Sequence, residues 1–119
     1  MKYIVIILIL IITSCKKNTG DISQFKTGTF KTFLEDSDVS SIAVRDDSIQ
    51  IETYKNRKDT FAIEWKSNFE YVLTKTNPKT VLDSTPFHVK ITGFTNNSYT
   101  FKASYKGSNF KQKGRAVRQ

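Results

Sequence analysis

Residues 61–73, with the sequence FAIEWKSNFEYVL, decide the fold class. Apolar and polar residues alternate in this segment on both sides of a polar break at residues 66–68. A period of two residues places every second side chain on one face of a β-strand. The segment therefore predicts two antiparallel strands joined by a tight turn, with buried faces formed by Phe61, Ile63 and Trp65 and by Phe69, Tyr71 and Leu73.

The same alternation recurs about every ten residues along the chain. Three further segments show it clearly and place on their buried faces Ile49 with Ile51, Phe87 with Val89 and Ile91, and Tyr99 with Phe101, Ala103 and Tyr105. Weaker strands are predicted over residues 28–34, 39–45 and 111–118. Eight strands joined in order predict an all-β fold, a small antiparallel up-and-down meander that curls into a barrel or half-barrel. An open β-sandwich is the alternative.

The first fifteen residues have the pattern of an export signal. Lys2 precedes an apolar run at residues 3–12, which is about half of the roughly 20 residues that a membrane-spanning helix needs. The run ends in Ile12-Thr13-Ser14-Cys15, which resembles the lipobox of bacterial lipoproteins. That resemblance implies cleavage before Cys15 and a diacylglycerol on its thiol. The alternative is an uncleaved N-terminal anchor whose cysteine is incidental.

These features divide the chain into three parts. Residues 1–14 are predicted to be a lipoprotein signal peptide, residues 15–27 the lipidated cysteine and a polar tether, and residues 28–119 a single β domain. Cys15 is the only cysteine, so no intramolecular disulfide can form and the domain depends on its core for stability. We expect the protein to be attached to a membrane of the bacterial cell envelope, the outer membrane rather than the inner.

The net charge of +8 is concentrated near the C-terminus. Asp83 is the last acidic residue, and the lysines and arginines beyond it lie on predicted outward faces or in loops. Attraction to an anionic lipid or glycan surface is one interpretation, and a solvated basic face that only keeps the protein soluble is the other. The residues predicted to contact such a surface are Lys90, Lys102, Lys111, Lys113, Arg115 and Arg118.

Patterns for catalysis are sparse. The sequence has one histidine and one cysteine, and no spacing typical of a metal site or a cofactor-binding loop, so we expect no cofactor and no catalytic residues. Asp47-Ser48-Ile49 and Asp83-Ser84-Thr85 match a short O-glycosylation pattern of exported bacterial proteins, with Ser48 and Ser84 as acceptors; ordinary turns explain both equally well. In a closed barrel, the predicted lining of a ligand cavity is Phe61, Trp65, Tyr71 and Phe101.

Five stretches carry a family resemblance: residues 25–30 (FKTGTF), 47–52 (DSIQIE), Trp65 with 69–71 (FEY), 77–79 (NPK) and 97–101 (NSYTF). They resemble small uncharacterised lipoproteins of Bacteroidota. Some members of that family carry the label DNA topoisomerase IV, which we judge a transfer error. A type II topoisomerase subunit needs hundreds of residues for its tyrosine, magnesium site and DNA gate. Export also makes nucleic acid an unsuitable partner, so we expect none.

A second resemblance concerns the first strand. Gly28-Thr29-Phe30, together with a late basic residue such as Arg115, is similar to lipocalin-like barrels, in which Gly-x-Trp packs beneath a C-terminal arginine. The resemblance implies a cation–π contact across the end of the barrel, with Phe30 in place of the tryptophan.

These observations favour a non-catalytic binding or scaffolding module anchored in the envelope. A carrier of a small ligand in the barrel and an accessory subunit of an outer-membrane protein complex are the alternatives, and a hydrolase ranks last. An internal cavity would favour the carrier, whereas a large exposed apolar patch would favour the subunit.

Overall fold

The computed structural model describes residues 21–119, which form a closed barrel of eight antiparallel strands. Each strand pairs with the next, and β8 closes on β1. The predicted barrel is therefore confirmed over the open sandwich. The strands are β1 (Gly28–Leu34), β2 (Ser40–Arg45), β3 (Ile49–Tyr54), β4 (Arg57–Ser67), β5 (Glu70–Lys75), β6 (Phe87–Phe94), β7 (Ser98–Tyr105) and β8 (Gln112–Arg118).

Two short helices complete the described part of the chain, a 3-10 helix at Ile22–Lys26 and the one-turn helix α1 at Val81–Ser84. Neither is long and apolar enough to cross a membrane. Because the strands alternate in direction, the 3-10 helix lies at one end of the barrel, which we call the closed end. The loops at residues 35–39, 55–56, 76–86 and 106–111 lie at the opposite end, which we call the open end.

The 3-10 helix closes the barrel because its apolar residues face inward. The Asp21 carboxylate accepts a hydrogen bond from the Ser23 N–H and caps the first turn. Phe25 is fully buried, and its ring centroid lies 5.1 Å from that of Tyr99 and 6.1 Å from that of Phe30. The predicted tether over residues 15–27 is thus wrong at its C-terminal end, where the helix at Ile22–Lys26 packs into the core.

Arg118 holds this helix from the last strand. Its guanidinium donates hydrogen bonds to the carbonyl oxygens of Gln24 and Thr27, and it lies 5.0 Å from the centroid of the Phe30 ring. The implied contact between Phe30 and a late arginine is therefore present, but through Arg118. Arg115 was the wrong choice, because it lies on the outer face and packs on Phe33 at 5.3 Å.

The alternation of side chains agrees with the prediction in β4, β6 and β7. The core shared by these strands and by β1 and β5 is apolar and aromatic, and it includes Phe30, Ile63, Leu73, Val89, Ile91, Tyr99, Phe101 and Ala103. Phe69 was wrongly assigned to this face. It lies in the turn before β5 and is 46% exposed.

β3 has the predicted period but the opposite phase. Ile51 is 38% exposed on the outer face, while Gln50 points inward and is 2% exposed. The in-register partners on β2 follow the same rule, since Val44 opposite Ile51 is 49% exposed and Arg45 opposite Gln50 is 4% exposed. The expected inward face of Ile49 and Ile51 is therefore wrong. Polar residues take the inward positions here because they bond to one another inside the barrel.

Candidate functional site

The barrel interior holds a chamber of about 310 Å³ that opens at the open end. A second, smaller chamber of about 40 Å³ adjoins it toward the closed end and shares several lining residues with it. The walls of the larger chamber carry apolar and aromatic side chains from five of the strands and from the loop after β1. They include Leu34, Val39, Phe61, Leu73, Phe87, Phe101 and Tyr105.

The structure places three of the four residues predicted to line a cavity beside these chambers. Phe61 lines the larger chamber, Tyr71 lines the smaller one, and Phe101 lines both. Trp65 lines neither. Its ring packs on Tyr71 at 4.7 Å between centroids, nearer the closed end, and the ammonium of Lys26 lies 5.7 Å from it.

Arg45 forms the polar base of the interior. Its Nε donates to Gln50 Oε1 at 2.8 Å, and its Nη1 donates to the carbonyl oxygen of Phe25 at 2.8 Å. Its Nη2 donates to the hydroxyl groups of Tyr71 and Tyr99, at 3.2 and 2.9 Å. These bonds join four separate parts of the chain. A guanidinium stays protonated in proteins, so the base of the barrel carries a fixed positive charge.

Aromatic rings surround this charge. The guanidinium carbon of Arg45 lies 4.7 Å from the Tyr71 ring centroid and 4.8 Å from the Phe30 ring centroid. Such contacts contribute about 2 kcal/mol or more where water is excluded. Burial also raises the pKa of Tyr71 well above its usual value, with the neighbouring Tyr99 adding to the effect. Burial and the neighbouring Tyr99 therefore keep the Tyr71 hydroxyl neutral. The neutral hydroxyl can bond with Arg45 and with Tyr99, whose oxygen is 2.9 Å away.

Glu52 lies between the polar base and the larger chamber, and it lines both chambers. Its Oε1 accepts a hydrogen bond of 3.0 Å from the Gln50 amide. Burial raises the pKa of the Glu52 carboxyl; the Gln50 bond and the charge of Arg45 oppose that rise, whereas Asp59 in the next strand adds to it. A partly buried carboxyl group with a raised pKa is therefore part of the chamber wall.

The open end carries a second set of charges. The ammonium of Lys75 lies 3.4 Å from a carboxylate oxygen of Asp59 and 3.6 Å from one of Asp83. α1 positions Asp83, whose N–H donates to the Thr80 hydroxyl and whose carboxylate accepts from the Lys79 N–H. The Lys79 bond and then the charge of Lys75 lower the pKa of Asp83. All three charged groups line the larger chamber.

The sequence analysis missed Arg45, Gln50 and Glu52. Gln50 and Glu52 lie in a strand whose isoleucines were expected to form the buried face, and Arg45 lies in a weaker strand for which no buried face was assigned. Polar residues at positions 50 and 52 alternate as regularly as the isoleucines beside them, so the period alone cannot give the phase. One signal in the sequence could have indicated the correct phase. Arg45 and Gln50 flank the turn between β2 and β3, and both side chains are long and polar enough to hydrogen-bond across that turn.

The basic residues near the C-terminus separate into two groups. Lys90 pairs in register with Lys102, and Lys102 pairs with Lys113, so three exposed ammonium groups lie side by side across β6, β7 and β8. We call these three residues the lysine row. Lys111 and Arg115 are exposed on the same outer face, and Lys111 lies 3.5 Å from the Ser104 hydroxyl. Arg118 does not belong to this face, because it turns to the closed end.

The two candidate glycosylation sites are exposed in different settings. Ser48 lies in the turn between β2 and β3, where its N–H donates to the Asp46 carboxylate. Ser84 ends α1, and its hydroxyl donates to the carbonyl oxygen of Val81 at 2.7 Å. Within residues 21–119, no group of three or more histidine, cysteine or acidic residues is arranged to hold a metal ion. Cys15 and the predicted signal peptide lie outside the described residues.

Comparison of the chain with family models, with curated proteins and with solved structures gave no significant match. The resemblance to Bacteroidota lipoproteins stays a prediction. The features of the described residues that bear on function are therefore the chambers, the charges around them and the lysine row.

Proposed function

We propose that this chain is a lipid-anchored envelope protein whose barrel binds a small ligand without catalysis. The observation that supports this proposal is the chamber of about 310 Å³ inside the barrel. Eight-stranded barrels are just wide enough to be filled by their own side chains or to hold one small ligand. Ligand pockets are typically about 300–1,000 Å³ and mainly apolar, with a few polar groups, and this chamber has that size and lining.

The polar groups of the chamber favour binding over chemistry. The Arg45 guanidinium is held by four protein groups, and Lys75 is paired with two carboxylates. Groups whose donors are already taken up by protein partners in this way suit a structural or ligand-orienting role. The role proposed here is therefore that of a carrier or receptor domain.

The anchor is compatible with an open chamber. Asp21 lies at the closed end, and Cys15 precedes it by six residues, so the lipid lies within about 20 Å of that end along an extended chain. The open end lies at the other end of the barrel. Replacing Cys15 with serine should release the protein from the membrane fraction or leave the signal uncleaved. Mass spectrometry of the native protein tests the lipid directly, and an unmodified Cys15 on a processed chain would refute the anchor.

A chamber-blocking variant tests the binding function. Ser41 lines the larger chamber, so Ser41→Trp fills it, whereas Ser104→Trp adds the same bulk on the outer face. The neutral fluorescent probe N-phenyl-1-naphthylamine should bind the wild-type protein and Ser104→Trp saturably at one site. Binding should be lost in Ser41→Trp. Equal binding by both variants, or no saturable binding by the wild type, would contradict a ligand chamber.

The lysine row supports a second candidate function, contact with an anionic surface. A lysine or arginine near an anionic membrane contributes about 1 kcal/mol, and the attraction fades within a Debye length of about 8 Å at physiological salt. Residues 16–119 should therefore float with vesicles that contain anionic lipid, and less so as salt rises. Lys102→Glu should reduce flotation, whereas Lys58→Glu, on β4, should not. Equal binding to neutral and anionic vesicles would favour the other interpretation, in which the basic face only keeps the protein soluble.

A further inference from the structure

We propose that the chamber takes an organic cation, an amine whose apolar body fills the larger chamber and whose ammonium group pairs with the Glu52 carboxylate. This inference rests on the proposed binding function and names the chemical class of its ligand. It depends on a contrast between the protein's outer charge and the charge of its chamber walls.

The walls of the larger chamber are acidic although the protein is basic. Three acidic residues line it, namely Glu52, Asp59 and Asp83, against one basic residue, Lys75. Lys75 is shared between Asp59 and Asp83, so one negative charge at the open end lacks a matching positive charge in the walls. The charge of the chamber walls therefore favours a cation over an anion as the ligand.

Glu52 is placed to bind the ammonium group. Within residues 21–119 its only hydrogen-bond partner is the Gln50 amide, which donates to Oε1 and leaves Oε2 without a partner. Asp59 is its in-register partner on β4, so two carboxylates face the chamber from neighbouring strands. An ammonium group has three donors and no acceptor, so two adjacent carboxylates can satisfy it more fully than one.

Arg45 does not convert the chamber into an anion site. It lines the smaller chamber only, and at about 40 Å³ that space is large enough for a water molecule or two. Four of its five N–H donors are used by Gln50, Phe25, Tyr71 and Tyr99. A ligand carboxylate would have to pass Glu52 and displace these partners to reach the guanidinium.

The aromatic walls suit the same class of ligand. Phe61, Phe87, Phe101 and Tyr105 line the larger chamber, and the rings of Phe87 and Tyr105 pack edge to face at 5.0 Å. Ring faces attract cations through their quadrupole, and they also cover the apolar part of an amine. A neutral apolar ligand would use these rings but would leave Oε2 of Glu52 without a partner.

Three probes of one shape test the charge preference by isothermal titration calorimetry on the full chain in lipid nanodiscs. They are tryptamine, the neutral alcohol tryptophol and the anion indole-3-propionate. Tryptamine should bind about tenfold more tightly than tryptophol, the effect expected of one partly buried ion pair. Indole-3-propionate should bind more weakly than either.

Glu52→Gln keeps the shape and removes the charge, so it should abolish the preference for tryptamine and leave the affinity for tryptophol unchanged. Retained tryptophol binding shows that the variant chamber is intact. Glu64→Gln is the matched control, since Glu64 is exposed on the outer face and pairs with Lys66. Its preference should equal that of the wild type.

The outcomes separate this inference from the proposed function. Binding of tryptophol that equals or exceeds that of tryptamine would overturn the amine inference and leave the ligand chamber in place. A full preference for tryptamine in Glu52→Gln would overturn the assignment to Glu52. Absence of binding by all three probes and by N-phenyl-1-naphthylamine would overturn both proposals together.

Discussion

Arg45→Met removes the charge at the base of the barrel while keeping an apolar side chain of similar length. Two acceptors then lose their donor, the Phe25 carbonyl and the Gln50 amide oxygen. The hydroxyl groups of Tyr71 and Tyr99 are less affected, because they still bond to each other at 2.9 Å. The variant therefore measures the cost of leaving two buried acceptors unpaired, because the hydrogen bond between the two tyrosines remains.

The expected magnitude follows from these contacts. An orphaned buried acceptor costs about 1–3 kcal/mol, so two cost about 2–6 kcal/mol. Loss of the contacts between the guanidinium and the Phe30 and Tyr71 rings adds about 2 kcal/mol, while the variant recovers several kcal/mol because no charge is buried. We expect a net loss of about 3 kcal/mol, a large fraction of the 5–15 kcal/mol typical of a domain.

Urea unfolding of residues 16–119, followed by the fluorescence of the sole tryptophan, measures this loss. Trp65 is a suitable reporter, since its ring centroid lies 5.9 Å from the Arg45 guanidinium carbon. Arg57→Met is the control, because Arg57 is exposed at the start of β4. A change below about 1 kcal/mol in Arg45→Met would refute the reasoning that the polar base stabilises the fold.

Three further predictions concern other parts of the barrel. Gly114→Ala should cost about 1–3 kcal/mol in urea unfolding, because its Cβ would lie 2.5 Å from the Phe101 ring and 2.6 Å from a backbone oxygen; wild-type stability would contradict this. Arg118→Met should lose about 1–3 kcal/mol and speed amide exchange in the 3-10 helix, whereas Arg115→Met should do neither. Burial raises the pKa of Glu52, so the stability that its proton supplies is present below about pH 4 and is lost as pH rises through the raised pKa. Glu52→Gln should therefore gain stability relative to the wild type as pH rises from about 4 through the raised pKa, and a pH-independent difference would count against the shift.

The barrel itself could be predicted from the sequence. Alternation of apolar residues gave the strands, and short turns rich in Asp and Asn indicated that neighbours pair in order. The resemblance of Gly28-Thr29-Phe30 to lipocalin-like barrels implied an arginine packed on Phe30, and the structure supplies one. The sequence alone could not decide whether Arg115 or Arg118 packs on Phe30. It depends on the register of β8 against β1, which puts Arg118 opposite Phe30.

The polar interior could not be predicted, for a physical reason. A strand with isoleucine at residues 49 and 51 and polar residues at 50 and 52 is consistent with either phase, and burial of the apolar set is the usual outcome. Here Gln50 gains a hydrogen bond from Arg45, and that guanidinium in turn depends on Phe25. Phe25 lies in the segment expected to be a tether. The phase of β3 is therefore set by a residue far away in sequence.

The two ends of the barrel differ because their inward residues differ in size. At the closed end Phe25, Phe30 and Tyr99 fill the interior, and Arg45 ties them together. Toward the open end β1 and β2 contribute Thr32 opposite Ser41, which are too small to meet the far wall. Space therefore remains where the walls are acidic, and only the smaller chamber of about 40 Å³ lies beside the buried arginine. Stability is concentrated in the residues that close the barrel, which leaves the open end free to carry groups that a ligand can satisfy.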